Sequence, residues 1–492
     1  MPALTGINVT PRLLTARRGQ PSAVPAAPAP QSSYRLQLQP GFGFADAAGI
    51  AGYLAGLGVT HAYLSPILQA APGSVHGYDV VDHSLVSADL GGEGAFRDMV
   101  ARFRRHGLGV IADIVPNHMA IGAPESLNRQ FWSVLRDGAG SAFAHWFDID
   151  WQAGGGRLLL PILAGPFADC LGDLTLDASG PDRPVLRYHE HVLPVRPGTE
   201  DLPLPGLAGA QHYRLADWRA AATELNWRRF FDITSLIAVR VEDEDVFTAT
   251  HGLLLRLVAE GLIDGLRVDH PDGLADPRGY LDRLAKATGD IWVVTEKILT
   301  GPEELPRDWR CAGTTGYDAL GMAGGLFVDP AGAAPLTAVC AAFTGDTKGF
   351  AEVAEAAKRE AATGSLTAEV RRLARVLART DDPALAGLGT GDLVTVLTEL
   401  LTAFGVYRAS VVPGEPPARS AGIVAAAASA AVDRLPPRLH PAVFAVAALA
   451  LGEAPASTGH GPVTEEPGRR PPGVPGRGVR GLPRGRQSPP PG

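Results

Sequence analysis

Two acidic residues, Asp269 and Glu296, each follow a short apolar run of the kind that forms a buried strand. Alternate residues of a strand share a face, so Arg267 is expected to point the same way as Asp269 and to keep that carboxylate ionised. A drier pocket around Glu296 would raise its pKa and allow it to donate a proton. Two carboxyls of this kind, about 5–5.5 Å apart, are what retaining cleavage of a glycosidic bond requires. The pair therefore predicts a nucleophile and an acid/base for sugar chemistry.

Each candidate also has a structural interpretation that involves no chemistry. Asp269 could cap the helix or loop that follows its strand. Glu296, which is followed by Lys297, could be part of a solvated strand end. The polar groups in residues 113–118 and 76–79 could simply form turns, because Asn, Asp and Gly favour them. Singly, these alternatives stay open. Together, the order of the segments and their spacing favour one common site.

Apolar runs and amphipathic stretches alternate along the chain. The pattern predicts strands at 59–64, 109–115, 264–268 and 291–295, and helices at 47–58, 92–106, 249–260 and 277–288. Such alternation favours an α/β fold with a parallel sheet, and 492 residues suit a (β/α)8 TIM barrel with insertions. The active site of such a barrel lies at the carboxyl ends of its strands, so Asp113, Asp269 and Glu296 are expected to converge there.

Changes in composition divide the chain into six predicted segments. They are a disordered N-terminal segment (1–32), the first part of the barrel (33–119), a subdomain inserted after strand three (120–245), the second part of the barrel with the nucleophile and the acid/base (246–325), a helical insertion (326–452) and a Pro/Gly/Arg-rich tail (453–492). The alanine-rich stretch 423–432 is expected to be a packed helix, since it is too short to span a membrane.

Composition and charge exclude several classes of function. The formal net charge of −8 gives no broad basic surface for nucleic acid. No run of eighteen apolar residues predicts a membrane span, and no apolar segment follows the N-terminal arginines, so a cytoplasmic location is expected. The three cysteines are far apart and form no CxxC pair, which predicts buried or incidental thiols and no metal site.

Several segments resemble the α-amylase superfamily, glycoside hydrolase family 13. Residues 113–118 (DIVPNH) match its first conserved region, residues 265–269 (GLRVD) its second, and Thr295-Glu296 stands where the third falls. Within the family, the resemblance is to the trehalose-forming branch. It depends on five stretches that generic amylases lack, at residues 33–38 (SYRLQL), 70–86 (AAPGSVHGYDVVDHSLV), 225–242 (LNWRRFFDITSLIAVRVE), 269–277 (DHPDGLADP) and 313–318 (GTTGYD).

The resemblance implies a role for each candidate residue. Asp269 would be the nucleophile that forms a covalent glucosyl-enzyme, Glu296 the acid/base, and Arg267 the group that holds Asp269 ionised. The remaining candidates would contact the sugars: His76, Tyr78 and His118 around the transferred unit, and His270 and Asp272 at the terminal glucose. Asp113 would organise the strand end. The implied enzyme is an isomerase that turns the reducing-end α-1,4 linkage of a maltodextrin into an α,α-1,1 linkage, with no cofactor or metal, and its functional partner is a trehalose-releasing hydrolase.

The chain departs from the family pattern at two points. Gln39 stands where a histidine is expected, and no His-Asp dipeptide follows Glu296, although the family needs a third carboxylate from such a pair on strand seven. In the last 32 residues, eight are Gly, nine Pro and six Arg, which is typical of an out-of-frame translation of a GC-rich gene. We therefore expect a barrel truncated before strands seven and eight, and a chain that is unstable alone and has uncertain activity.

Two other functions remain open at this stage. A 4-α-glucanotransferase or amylase-like hydrolase would use the same pair of carboxylates on the same class of substrate. A non-catalytic remnant would bind α-glucan and leave it unchanged. Assays of reducing ends on maltopentaose distinguish them, because a synthase removes reducing ends, a hydrolase creates them, and a disproportionating enzyme keeps their number constant.

Overall fold

The structure is a computed structural model that describes residues 29–179, 184–301, 303–411 and 418–453. The predicted N-terminal segment and the predicted tail lie outside these ranges, apart from residues 29–32 and 453. The strands, in chain order, are β1 (Ser33–Leu36), β2 (His61–Leu64), β3 (Leu68–Ala70), β4 (Val80–Val86), β5 (Gly109–Ile114), β6 (His118–Ala120), β7 (Leu158–Leu163), β8 (Leu174–Asp177), β9 (Val185–Tyr188), β10 (His191–Pro194), β11 (Tyr213–Asp217), β12 (Arg229–Phe230), β13 (Ile233–Ala238), β14 (Gly265–Val268), β15 (Trp292–Thr295) and β16 (Gly313–Thr314).

The α-helices are interspersed with the strands up to β16 and then follow one another. They are α1 (Phe44–Gly49), α2 (Ala51–Gly56), α3 (Gly92–Arg105), α4 (Arg129–Asp137), α5 (Phe167–Cys170), α6 (Leu204–Gly209), α7 (Ala221–Glu224), α8 (Glu244–Ala259), α9 (Pro277–Thr288), α10 (Tyr317–Gly325), α11 (Ala333–Thr344), α12 (Phe350–Thr363), α13 (Thr367–Leu377), α14 (Thr390–Ala403), α15 (Ala418–Val432) and α16 (His440–Ala450). The last six form the helical region that the sequence predicts.

The main sheet contains six strands in the order β1-β2-β5-β14-β15-β16, and every pairing in it is parallel. Strands β5 and β14 lie at its centre and are buried along their whole length, as expected for a parallel sheet covered on both faces. This confirms the predicted parallel β/α architecture and shows six strands of barrel type. The eight-stranded barrel type and its expected truncation before strands seven and eight stay predictions.

Most of the predicted elements occur within a few residues of their predicted ends. Helix α9 covers the predicted range 277–288. Residues at both ends of this helix fix where it begins and ends. The Asp276 carboxylate accepts a hydrogen bond from the Gly279 N–H at 2.9 Å, and Pro277 is the first helical residue. Gly289, with φ 67°, ends the helix. Helix α8 begins at Glu244, five residues before the predicted start at 249. Acidic residues in its first turn favour this extension, because the N-terminus of a helix is electropositive.

The residues between β5 and β14 contribute no strand to the main sheet. They form three smaller sheets, β8-β9-β10, β7-β11 and β12-β13-β6. In the last of these, β13 pairs with β6 so that Ile237 lies opposite Met119 and Ala238 opposite His118. This pairing returns the chain to the carboxyl end of β5. The Phe230 ring consequently lies 4.4 Å from the ring of His118.

Within the ranges that the structure describes, the buried apolar core consists of two separate clusters. One joins the main sheet, its covering helices and the three smaller sheets, and the other lies within the helical region between Ala362 and Ala447. Helix α15 packs Val424, Ala428 and Ala431 into the second cluster, which agrees with its prediction as a packed helix. Among the described residues, no single helix is both long and apolar enough to cross a membrane, although the bent pair Tyr317–Gly325 and Pro330–Thr344 passes that test together.

Candidate active site

The three strand-end carboxylates meet on one guanidinium group, that of Arg267. Its Nη1 atom lies 2.8 Å from Asp113 Oδ1 and 2.7 Å from Asp269 Oδ1, and its Nη2 atom lies 2.8 Å from Glu296 Oε1. The sheet register explains this convergence, because Arg267 of β14 is paired with Asp113 of β5, and β15, which ends one residue before Glu296, is the other neighbour of β14. The predicted placement of Arg267 beside Asp269 is confirmed.

Asp113 is a buried hub of hydrogen bonds. Its Oδ2 atom accepts from the Tyr63 hydroxyl at 2.8 Å and the Tyr78 hydroxyl at 2.7 Å, and Arg35 Nη1 approaches it at 3.5 Å. Burial raises the pKa of the Asp113 carboxyl, while Arg267 and the two hydroxyls oppose that rise. The arrangement fits an organising role, since Asp113 fixes both the Arg267 guanidinium and the Tyr78 ring.

Asp269 and Glu296 differ in exposure. The side chain of Asp269 is 8% exposed and that of Glu296 is 23% exposed. Burial raises the pKa of Asp269 above its ordinary value, the charges of Asp113 and Glu296 raise it further, and Arg267 lowers it. Arg267 thus acts in the predicted direction but is outweighed by burial. The pocket around Glu296 is not drier than that around Asp269, because Glu296 lies nearer the open cavity.

A cavity of about 770 Å³ lies above this cluster. Its wall contains every predicted site residue except Arg267, which lies beneath the two carboxylates. The lining residues that the sequence predicts are His76, Tyr78, His118, Asp269, His270, Asp272 and Glu296. Rings and apolar side chains that were not predicted complete the wall, namely Phe230, Phe231, Ile233, Leu236, Ile298 and Tyr407. A cavity with apolar walls and a few convergent charged groups is typical of a small-ligand site.

The segment around Tyr78 is more than a surface turn. Gly77 adopts φ +80°, and a Cβ atom there would lie 2.8 Å from the Pro66 carbonyl oxygen, so the turn needs glycine. Arg35 donates to the Tyr78 hydroxyl at 3.0 Å, and the His76 ring stacks on the Tyr78 ring with centroids 6.0 Å apart. Tyr78 is therefore held with its hydroxyl beneath the cavity and its ring in the wall.

His118 is a buried neutral group. Its Nε2 atom lies 3.1 Å from the Tyr78 carbonyl oxygen, and burial lowers its pKa to about 3. The buried Nδ1 atom has no hydrogen-bond partner among the described residues. A ring in this state is uncharged at neutral pH, and its Nδ1 atom is out of contact with solvent.

His270 and Asp272 lie on the loop that follows β14. His270 has the left-handed backbone value φ 41°, and its N–H donates to Glu296 Oε2 at 3.3 Å. The Asp272 carboxylate accepts from Lys297 Nζ at 2.9 Å, and the same ammonium lies 3.0 Å from Glu303. Lys297 is only 2% exposed, so the interpretation of Glu296 and Lys297 as a solvated strand end is wrong.

Sequence reasoning missed the aromatic part of the wall. Phe230 ends β12 and Phe231 follows it, in a stretch that was quoted only for its resemblance. Tyr407 belongs to the helical region more than a hundred residues beyond Glu296. No spacing rule connects these positions with the strand ends. The consecutive aromatic pair in residues 225–242 was the available signal, because adjacent exposed rings often form a binding surface.

Comparisons with known proteins agree with this geometry. The model of the α-amylase catalytic domain matches residues 40–131. A Mycobacterium tuberculosis protein named as a maltooligosyl trehalose synthase is 43% identical over 390 residues, which are 78% of this chain and 49% of that protein. The structure of the maltooligosyltrehalose synthase of Arthrobacter ramosus superposes with a TM-score of 0.76 at 42% identity, covering 86% of this chain and 52% of that one. A hypothetical maltooligosyl trehalose synthase of Sulfolobus tokodaii superposes with a TM-score of 0.69 at 31% identity, covering 85% and 55%.

The parallel sheet, the strand-end carboxylates and these matches define the class of protein that the chain resembles, the α-amylase family, whose catalytic-domain model it matches over residues 40–131. Within that family, it is a relative of the maltooligosyl trehalose synthases. The chain spans about half the length of the relatives it matches.

Proposed function

We propose that the site rearranges the reducing end of a maltodextrin, turning its last α-1,4 linkage into an α,α-1,1 linkage. The observation that carries the proposal is the joint binding of Asp269 and Glu296 by Arg267 at the floor of an aromatic-walled cavity. The names of the similar proteins support the choice of this reaction over others of the family.

The proposed first step uses the two carboxyls in different protonation states. Glu296, in its protonated form, donates to the bridging oxygen of the last α-1,4 bond while Asp269 attacks the anomeric carbon. The C–O bond to the terminal glucose breaks, and an ester bond to Asp269 forms. Arg267 contacts both groups, and its positive charge favours the ionised form of Asp269 against the effect of burial.

In the second step, the freed glucose turns within the cavity and presents its own anomeric hydroxyl. Glu296, now a base, takes the proton of that hydroxyl, and the new C–O bond replaces the ester to Asp269. Two displacements at one carbon give net retention. Water must be kept away from the ester, because its attack would give hydrolysis. The proposed product carries a trehalose unit, which makes a trehalose-releasing hydrolase the proposed functional partner.

The test is a reducing-end assay with maltopentaose on the purified chain. We expect reducing ends to disappear without the accumulation of short sugars, and we expect Asp269→Asn and Glu296→Gln to abolish this change. The exposed residues Asp201 and Glu304 supply the matched controls Asp201→Asn and Glu304→Gln, which should behave like the parent chain. An increase in reducing ends would instead identify a hydrolase, and a constant number with redistributed chain lengths a 4-α-glucanotransferase.

A second candidate function is a non-catalytic α-glucan-binding protein. The observation that favours it is the cavity wall, in which the rings of Phe230, Phe231 and Tyr407 offer surfaces that hold a sugar chain without breaking any bond. Binding of maltopentaose in calorimetry, together with unchanged sugar after long incubation, would support this function over catalysis.

A further inference from the structure

The segment that follows α14 lies against the candidate active site. Tyr407 contributes its ring to the cavity wall and meets the His270 ring edge-on, with centroids 5.7 Å apart. The next residue, Arg408, extends to the loop after β14. Its Nη1 atom donates to the carbonyl oxygens of Asp272, at 2.7 Å, and Leu274, and its Nη2 atom donates to that of Ala275 at 3.0 Å.

These three carbonyls belong to the 270–276 loop, which we define as residues 270–276. Only a single 3₁₀ turn, Pro271–Gly273, gives this loop regular structure. The guanidinium presents several N–H groups in a rigid plane, so one side chain can satisfy all three acceptors. An ammonium group has no such fixed plane of donors and would satisfy fewer of them. Arg408 therefore supplies hydrogen bonds that a helix or a sheet would otherwise provide.

The 270–276 loop is also held from its other side. The Asp272 carboxylate binds Lys297, and Lys297 follows Glu296 directly in the chain. The His270 N–H, in the same loop, donates to Glu296 Oε2 at 3.3 Å. A movement of this loop would therefore alter both the cavity wall and the hydrogen bonding of the proposed acid/base.

We infer that Arg408 is a positioning residue that ties the helical region to the 270–276 loop and thereby keeps the Tyr407–His270 wall of the cavity closed. The inference rests on the proposed function, in which the enzyme-bound ester must react with the freed glucose. Attack by the glucose hydroxyl breaks the ester to Asp269, forms the new C–O bond and passes a proton to Glu296. Attack by water breaks the same ester and gives a shortened maltodextrin and free glucose. A closed wall favours the first outcome because it holds the glucose and limits the entry of water.

The experiment compares Arg408→Gln and Arg408→Lys with the parent chain and with Arg438→Gln. Arg438 is an exposed arginine of the same helical region that is ion-paired with Asp392, so its substitution controls for the loss of one arginine. Two quantities are measured, the ratio of glucose to trehalose-terminated product from maltopentaose, and the hydrogen exchange of peptides covering 270–276 and, for reference, α8 and α9.

For Arg408→Gln we expect exchange in the 270–276 loop to accelerate at least fivefold with α8 and α9 unchanged, and the share of hydrolysis to rise several-fold. Arg408→Lys should give intermediate values, and Arg438→Gln should match the parent. Unchanged loop exchange in Arg408→Gln would overturn the inference, as would faster loop exchange with an unchanged product ratio. Equal acceleration in the loop, α8 and α9 of both Arg408 variants would also overturn it, because Arg408 would then have only a general role in stability.

The two proposals can fail separately. If the parent chain leaves maltopentaose unchanged, the proposed function fails, and the inference about Arg408 is then decided by loop exchange and by calorimetry with maltopentaose. Weaker binding in Arg408→Gln than in Arg438→Gln, together with faster loop exchange, would support the closed wall without catalysis. Equal binding or unchanged exchange would contradict it.

Discussion

Arg267 and Asp269 lie two residues apart, at the end of β14, and their side chains meet with 2.7 Å between Nη1 and Oδ1. The same guanidinium forms ion pairs with Asp113 and Glu296, so three carboxylates share one positive charge at a largely buried position. Like charges that share a site raise one another's pKa. The unfavourable interactions between these carboxylates are therefore concentrated where the proposed chemistry takes place. Shifted pKa values of this kind are common at functional sites.

The first prediction concerns the cation of this cluster. Arg267→Met should leave three carboxyls without their shared positive charge, and removal of one partner from a buried pair costs about 3–5 kcal/mol of unfolding free energy. We expect a loss of that size in urea denaturation at pH 7, and no measurable turnover of maltopentaose. The exposed Arg129 forms no ion pair within the described ranges, and Arg129→Met should change neither quantity. Wild-type stability in Arg267→Met would show that the cluster is not held by this charge.

The second prediction concerns the nucleophile. Because burial and two neighbouring carboxylates raise the pKa of Asp269, its charged form is disfavoured in the folded protein. The neutral variant Asp269→Asn should therefore be inactive but more stable than the parent at pH 7.5, by about 1.4 kcal/mol for each pKa unit of the rise. Differential scanning calorimetry measures the change. A lower melting temperature in Asp269→Asn would mean that the bond to Arg267 outweighs the cost of burial.

The sheet and the acidic pair could be predicted from the sequence because their signals are local. Residues 109–115 and 264–268 are mainly apolar and have the length of a strand, and Pro277 with Gly289 marks both ends of α9. Two strands of the main sheet were not predicted, the four-residue β1 and the two-residue β16. A strand as short as β16 has no periodicity. The parallel pairing of β15 with β16, which depends on the whole sheet, is what makes this segment a strand.

The walls of the site could not be predicted because they arise from contacts between distant parts of the chain. Lys297 is buried between Asp272, which lies on the loop after β14, and Glu303, which lies six residues further along its own loop, and its immediate sequence neighbours do not reveal this. Tyr407 reaches the cavity because the helical region packs beside the 270–276 loop. The relative burial of Asp269 and Glu296 likewise depends on what covers each strand end, which spacing along a strand does not determine.

The third prediction uses two glycines of the loop that carries Tyr78. Gly73 and Gly77 adopt similar positive φ values, +75° and +80°, but a Cβ atom on Gly73 would have open space, whereas one on Gly77 would lie 2.8 Å from a carbonyl oxygen. Gly73→Ala should cost about 1–2 kcal/mol from backbone strain alone. Gly77→Ala should cost more and should also raise KM for maltodextrin, because Tyr78 is displaced. Equal effects of the two substitutions on stability and on KM would show that the Tyr78 loop tolerates movement.

The fourth prediction concerns acid. Burial lowers the pKa of His83 to about 4, and those of His118 and His251 to about 3, so all three are neutral in the folded protein at pH 7. In the unfolded chain they titrate near 6.5 and bind protons more readily. Their contribution to stability is therefore complete above pH 6.5 and is lost as the pH falls below that value towards the folded pKa values. Each should cost about 1.4 kcal/mol per pH unit in this window.

The measurement for this prediction is the free energy of unfolding in urea at pH 7.5, 6.0 and 5.0. His251→Gln should reduce the slope of the unfolding free energy against pH by about the contribution of one histidine. This holds whatever the substitution does to stability at pH 7.5, because the slope depends only on the protons that are taken up on unfolding. His106 is exposed, so His106→Gln should leave the slope of the parent unchanged. An acid slope that is identical in the His251 variant and the parent would mean that His251 is protonated in the fold, and that its bond to the Tyr280 hydroxyl, 2.8 Å from Nε2, is made by the charged ring.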